Sequence, residues 1–226
     1  MKRFFSNLRF VLLCTFTLAS GNPVFADEID SLNIMYLYSY KIADSLKQIL
    51  YTHTLTDHQK MALYDEIAEM YSGTELDSSV VYLQEAIQLA QQLKEYDSMM
   101  KHYVALGILH SFQGHYDEAF ACYDLAKALA IEHGNKEVEA NVLSSSGFAY
   151  AKQGKHNTAI EYYLQYLKLS ENEGWTDNCV KAFANLGEIN RRIGNTEMAV
   201  HYLKQAEEKY SHPAYRRRTR QRVRRP

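Results

Sequence analysis

Cysteine is scarce. The 226 residues hold three, and Cys14 lies in an apolar stretch near the N-terminus, so a folded body keeps only Cys122 and Cys179. They fall about a repeat and a half apart in the periodicity described below, which puts them beyond disulfide reach. Two inert, buried thiols are expected. After residue 26 no apolar run approaches the roughly 18 to 20 residues that a membrane-spanning helix needs. Catalytic signatures are missing as well: there is no phosphate loop, no dinucleotide fingerprint and no His-Glu-x-x-His zinc helix. Ser144-Ser145-Ser146-Gly147 lacks the leading glycine of a nucleophile elbow. The nine histidines are scattered, and His110 and His115 stand five apart, so no pair has the i, i+4 spacing that shares a metal on a helix. Asp117 and Glu118 form an acidic pair at a helix start, where the dipole favours negative charge. These absences point to no enzyme, no metal and no cofactor.

What is present is a period. Gly107, Gly147 and Gly187, then Gly114, Gly154 and Gly194, then Ala119, Ala159 and Ala199 recur at steps of 40 residues. A fixed period of this length marks a solenoid. Gly114, Gly154 and Gly194 each sit in a short polar break and mark the turn inside a helical hairpin. Gly134 and Gly174 read as helix C-caps, where positive φ carries no Cβ penalty. First helices are expected at about Asp97 to Gln113, Lys136 to Gln153 and Asp177 to Ile193, with a second helix after each turn. Gly107 and Ala119 and their repeats allow the paired helices to approach closely. Tyr103, Leu106 and Tyr123, then Leu143, Tyr150 and Tyr163, then Phe183, Leu186 and Leu203 fill the core around them.

The order bulky, Leu, Gly, Gly, Ala, Tyr, Ala, here Tyr103, Leu106, Gly107, Gly114, Ala119, Tyr123 and Ala126, resembles the tetratricopeptide repeat. A degenerate copy precedes it, with Tyr64, Ile67, Ala68 and Tyr71 on the first helix and Ser79, Leu83 and Ala86 on the second. One residue is lost from its turn, Ser72 to Asp77. The pattern departs at Ser146, where the family has a large apolar residue, and at Tyr166, where it has a small one; less regular packing is expected there. The resemblance implies an all-α fold, a right-handed α-solenoid of about four hairpins over residues 55–210. An N-terminal capping helix over residues 27–54 carries Met35, Ile42, Leu46, Ile49 and Leu50 on one stripe. Thr56 and Gln59 form a capping-box pattern at the next helix start.

Lys2, Arg3 and Arg9, the apolar stretch from Phe10 to Leu18, and Val24-Phe25-Ala26 before acidic Asp27 read as a signal peptide over residues 1–26. A periplasmic or secreted location follows as an expectation. All 27 acidic residues come after Ala26, whereas seven of the 25 basic residues are arginines between Arg216 and Arg225. The body to Tyr210 therefore carries a net charge of −12 and the tail +7. Residues 211–226 are expected to be a disordered Arg-rich tail. After the last helix, near Asn195 to Tyr210, no further helix follows to cover Val200, Leu203 and Ala206, so fraying or self-association through that helix is expected.

In tetratricopeptide repeats the concave groove is lined by the first helix of each hairpin. Stepping along that face selects Lys101, Val104, Ile108 and Phe112; then Asn141, Ser144, Phe148 and Lys152; then Lys181, Asn185, Glu188 and Arg192. Ile108, Phe112 and Phe148 form an apolar patch with a basic rim, which suits a peptide with apolar anchors and acidic flanks. Ala43-Asp44-Ser45-Leu46-Lys47, Gly154 to Tyr163 and Gly187 to Arg192 resemble the exported repeat region of sensor histidine kinases and related regulators of Bacteroidota. The resemblance implies a non-catalytic periplasmic scaffold that binds a protein or peptide partner as the sensory part of a signalling system. The alternatives are a truncated receptor fragment without independent function, or binding of nucleic acid or an anionic surface through the tail. Export argues against nucleic acid.

Overall fold

The computed structural model describes residues 25–211, with side chains from Leu37 onward. Of the segment expected to be a signal peptide, residues 1–24 lie outside the described residues, as does the Arg-rich segment from residue 212. Among the described residues there are nine helices and no strand: α1 Phe25–Thr52, α2 Asp57–Tyr71, α3 Leu76–Leu93, α4 Tyr96–Gln113, α5 Tyr116–Glu132, α6 Lys136–Lys152, α7 His156–Asn172, α8 Thr176–Arg192 and α9 Thr196–Ser211. They follow one another as hairpins, an all-α fold of the TPR-like solenoid class. The chain divides into two compact units at Leu109/His110, within α4.

Local chemistry sets the helix ends. The turn glycines Gly114, Gly154 and Gly194 have φ of 82°, 75° and 78°, and the C-cap glycines Gly134 and Gly174 have 65° and 67°. Each allows the helix before it to close with an N–H to C=O bond across six residues. His115 donates to His110 and Asn135 to Ala130, for example, at 2.9 and 2.8 Å. The α2–α3 turn, one residue shorter, lacks the left-handed residue. Ser72 stays right-handed, and the Glu75 N–H reaches only the Tyr71 carbonyl, 2.9 Å away. Thr56 and Gln59 make the expected capping box at the start of α2.

Lys94 sits 40 residues before Gly134 and takes the same left-handed conformation, φ 56°, with a Cβ that opposes it. Lys94→Gly should therefore stabilise the protein by about 1 kcal/mol. Gly134→Ala should cost a similar amount. Denaturant midpoints at unchanged m-value provide the check.

In the first unit, Ala43 of α1 packs with Ile67 and Tyr71 of α2, against Leu46, Leu50, Met70 and Tyr82. Polar groups stitch the layers together. The Ser79 hydroxyl donates to the Ala68 carbonyl (2.7 Å) and Lys47 donates to the Tyr71 hydroxyl (2.9 Å). Two histidine–carboxylate contacts tie α2 to α4 and to the residue before it, His58 to Glu95 at 3.3 Å and buried His102 to Asp65 at 2.8 Å.

In the second unit, Ala140, Ala159, Tyr163, Tyr166, Cys179, Ala182, Phe183 and Leu186 form the core. Ser146 and Tyr166, the two departures from the repeat pattern, are both buried, and α7 keeps the 17-residue length of α5, α6 and α8. The close approach at the helix glycines takes in a large side chain besides the alanine, whose backbone is near at Gly187, with the Ala199 carbonyl oxygen 3.4 Å from where a Cβ would stand. A Cβ on Gly147 would lie 2.8 Å from Cε1 of Tyr163, and one on Gly187 would lie 2.7 Å from Cγ of Leu203. Glycine is therefore the hole into which the large residue four positions after the alanine inserts. Cys122 and Cys179 are buried and free; burial pushes the Cys122 thiol up to about 11.

On α9 the packing opens out. Ile160 and Tyr163 of α7 are half-buried and buried, but their counterparts Val200 and Leu203 are each 45 % exposed.

Candidate functional site

The candidate groove residues of the second unit lie on α4, α6 and α8. Helical steps of three and four residues put Asn141, Ser144, Phe148 and Lys152 along one side of α6, and Lys181, Asn185, Glu188 and Arg192 along one side of α8. Asn141, Ser144, Phe148, Asn185 and Glu188 are half-buried, and Lys152, Lys181 and Arg192 are exposed. This is the profile of a lined surface open to solvent on one side.

At its apolar end, Phe112 and Phe148 meet with ring centroids 5.2 Å apart and planes inclined at 53°. Lys152 folds back from one turn further along α6, and its Nζ lies 5.5 Å from the Phe112 centroid and 5.8 Å from that of Phe148. An ammonium over two ring faces is held by their quadrupoles and by its own apolar stem. Its position at the end of α6 also suits the negative end of the helix dipole.

One helix further on, Glu188 is occupied. It accepts two hydrogen bonds from Arg191, both at 2.9 Å, and one from Arg192 at 2.8 Å. The Arg191 guanidinium, then that of Arg192, holds the Glu188 carboxyl below the usual carboxylate range. Glu188 thus offsets one of the two arginine charges within α8, leaving one net positive charge on the trio.

The residues assigned to the groove in the first unit are placed differently. Lys101 is exposed, but Val104 and Ile108 are buried, 9 % and 7 % exposed, so little of either is open to a ligand. Arg191 was not among the groove residues selected by helical stepping, although its i, i+3 spacing to Glu188 signals the pair in the sequence. Among the described residues no group of three or more His, Cys, Asp or Glu side chains is placed to hold a metal ion. No described helix is long and apolar enough to cross a membrane.

Comparisons with known proteins agree with this fold. Residues 40–136 match the family model described as the SusR N-terminal TPR domain, and residues 138–211 match a tetratricopeptide-repeat model. A search of curated proteins finds no match. Among solved structures, a Rap protein complexed with competence and sporulation factor is similar at 16 % identity and a TM-score of 0.65, over 78 % of this chain and 52 % of that one. Aspartyl phosphate phosphatase F from Bacillus subtilis is similar at 13 % identity and a TM-score of 0.66, over 90 % of this chain and 60 % of that one. The Rap conjugation gene regulator of plasmid pLS20, in complex with the Phr* peptide, aligns at 16 % identity and a TM-score of 0.64, over 82 % of this chain and 51 % of that one. The chain spans between half and two thirds of the length of these three structures, and at such identities the likeness concerns the fold. With family models covering residues 40–136 and 138–211, and with glycine turns at the repeat period, the chain belongs to the tetratricopeptide-repeat proteins, and its N-terminal repeats are of the SusR type.

Proposed function

We propose that this chain is an exported, non-catalytic scaffold that binds a peptide or protein segment along its first-helix faces, as the sensory part of a signalling system. The observation that carries the reading is the open, half-buried surface of α6 and α8, with an aromatic pair and an uncommitted ammonium at one end. Rings set beside exposed polar groups supply anchor area and orientation, the usual division of labour in peptide recognition. Two further findings support it. SusR is a Bacteroidetes sensor regulator, and one structurally similar Rap protein holds a peptide. Export rests on the N-terminal signal pattern, and a mature protein beginning at Asp27 in the periplasmic fraction is its test.

The groove has a test of its own. The purified chain should select binders from a random-peptide display library, and Phe148→Ser should weaken them by about tenfold or more, the effect of removing a buried anchor. Leu164→Ser, at an exposed leucine of α7, should leave the same peptides bound. Equal retention by both variants would place binding elsewhere on the molecule.

A further inference from the structure

Resting on the peptide-binding reading, we propose that Phe112, Phe148 and Lys152 form a seat for one kind of ligand segment. That segment is an extended peptide with an aromatic side chain and, two residues away, an acidic side chain. The two rings are half-buried and give an incoming ring an apolar, polarizable surface. Lys152 is exposed, and its ammonium makes ring contacts while the arginines of α8 are bound to Glu188. It keeps donors for a ligand carboxylate, and a carboxylate there would complete a ring–cation–anion stack.

Spacing selects the sequence of the ligand. Side chains of an extended chain share a face at every second residue, about 6.6 Å apart, and the ammonium lies 5.5 and 5.8 Å from the two ring centroids. An acidic group immediately next to the anchor would point to the opposite face. A ligand chain that runs on in both directions from its anchor meets the lysine with a side-chain carboxylate partway along its length, so the seat is assigned to an internal Asp or Glu and not to a terminal carboxylate. The body around the seat carries a net charge of −12, which repels acidic peptides from most other parts of the surface. The arginines from Arg216 to Arg225 also attract acid, so the Lys152→Met comparison is what assigns the preference to this lysine.

The test uses four synthetic peptides titrated against the full chain and followed by calorimetry or by Trp175, its one tryptophan. Capped Ser-Phe-Ser-Glu-Ser should bind about fivefold more tightly than its Gln counterpart at low salt, the worth of a favourable exposed charge pair. The isomer with Glu directly after Phe should lose that advantage, as should capped Ser-Phe-Ser with a free C-terminal carboxylate. Lys152→Met, which keeps the stem, should make the Glu and Gln peptides equal. If wild type binds the Glu and Gln peptides equally, or if Lys152→Met keeps the preference, the seat is wrong while peptide binding stands. Tighter binding of the C-terminal carboxylate would overturn the internal-acid assignment. If none of the peptides binds and display selects none either, the proposed function fails along with it.

Discussion

Gly147→Ala should destabilise the second unit by about 1–3 kcal/mol, although alanine is the better helix former. In an unobstructed helix the change would gain about 1 kcal/mol of propensity. Here the new methyl would lie 2.8 and 2.9 Å from Cε1 and Cδ1 of Tyr163. That ring is 5 % exposed and held in the core beside Ala159, Phe183 and Leu186, so it cannot turn aside without disturbing its neighbours. Gly187→Ala is the matched comparison, with a contact of 2.7 Å to Cγ of Leu203. Leu203 is 45 % exposed and can change rotamer toward solvent. The second substitution should therefore cost clearly less, and its helix propensity can make it neutral. Chemical denaturation of both variants decides. Equal losses would show that closeness alone governs the position, whatever freedom the partner has.

Alkaline pH should unfold the protein cooperatively, with the fall in stability beginning near pH 10. Burial raises the pKa of Tyr123, Tyr163 and Tyr166, and it pushes the more open Tyr82 up to about 12. An acid whose folded pKa lies above its unfolded value releases its proton first from the unfolded chain. Stability is then fully present below the unfolded value, about 10 for tyrosine, and is lost as pH rises through and beyond it. Each unit of difference at each tyrosine is worth about 1.4 kcal/mol, so the three buried phenols act in the same direction against a margin that is only about 5–15 kcal/mol in a typical domain. Tyr123 has a partial offset, since its hydroxyl is 3.1 Å from that of Ser111 and this contact favours the ionised form. Tyrosinate absorbance and helical circular dichroism, recorded together, should change at the same pH. Ionisation of all tyrosines with the helices intact would contradict the buried placement of these three rings.

The repeat architecture is local enough to be read from the chain. A left-handed turn residue, a Thr–Gln capping box and a 40-residue period are properties of short segments, and each took its expected place: Gly114, Gly134, Gly154, Gly174 and Gly194 all have positive φ, and Thr56 caps α2. Even the shortened α2–α3 turn follows from the one residue missing before Asp77. Tertiary packing decided the rest. Helical stepping names a face about two residues wide, but which edge of it stays open depends on the neighbouring helices, so Phe148 is half-buried while Val104 and Ile108 are buried. Nothing local shows that Gly147 faces the Tyr163 ring, because the inserted side chain belongs to another helix. The same holds for charge. Glu188 and its arginines form a pair legible at i, i+3 and i, i+4, whereas the position of Lys152 over Phe112 needs two helices brought side by side across 40 residues of chain.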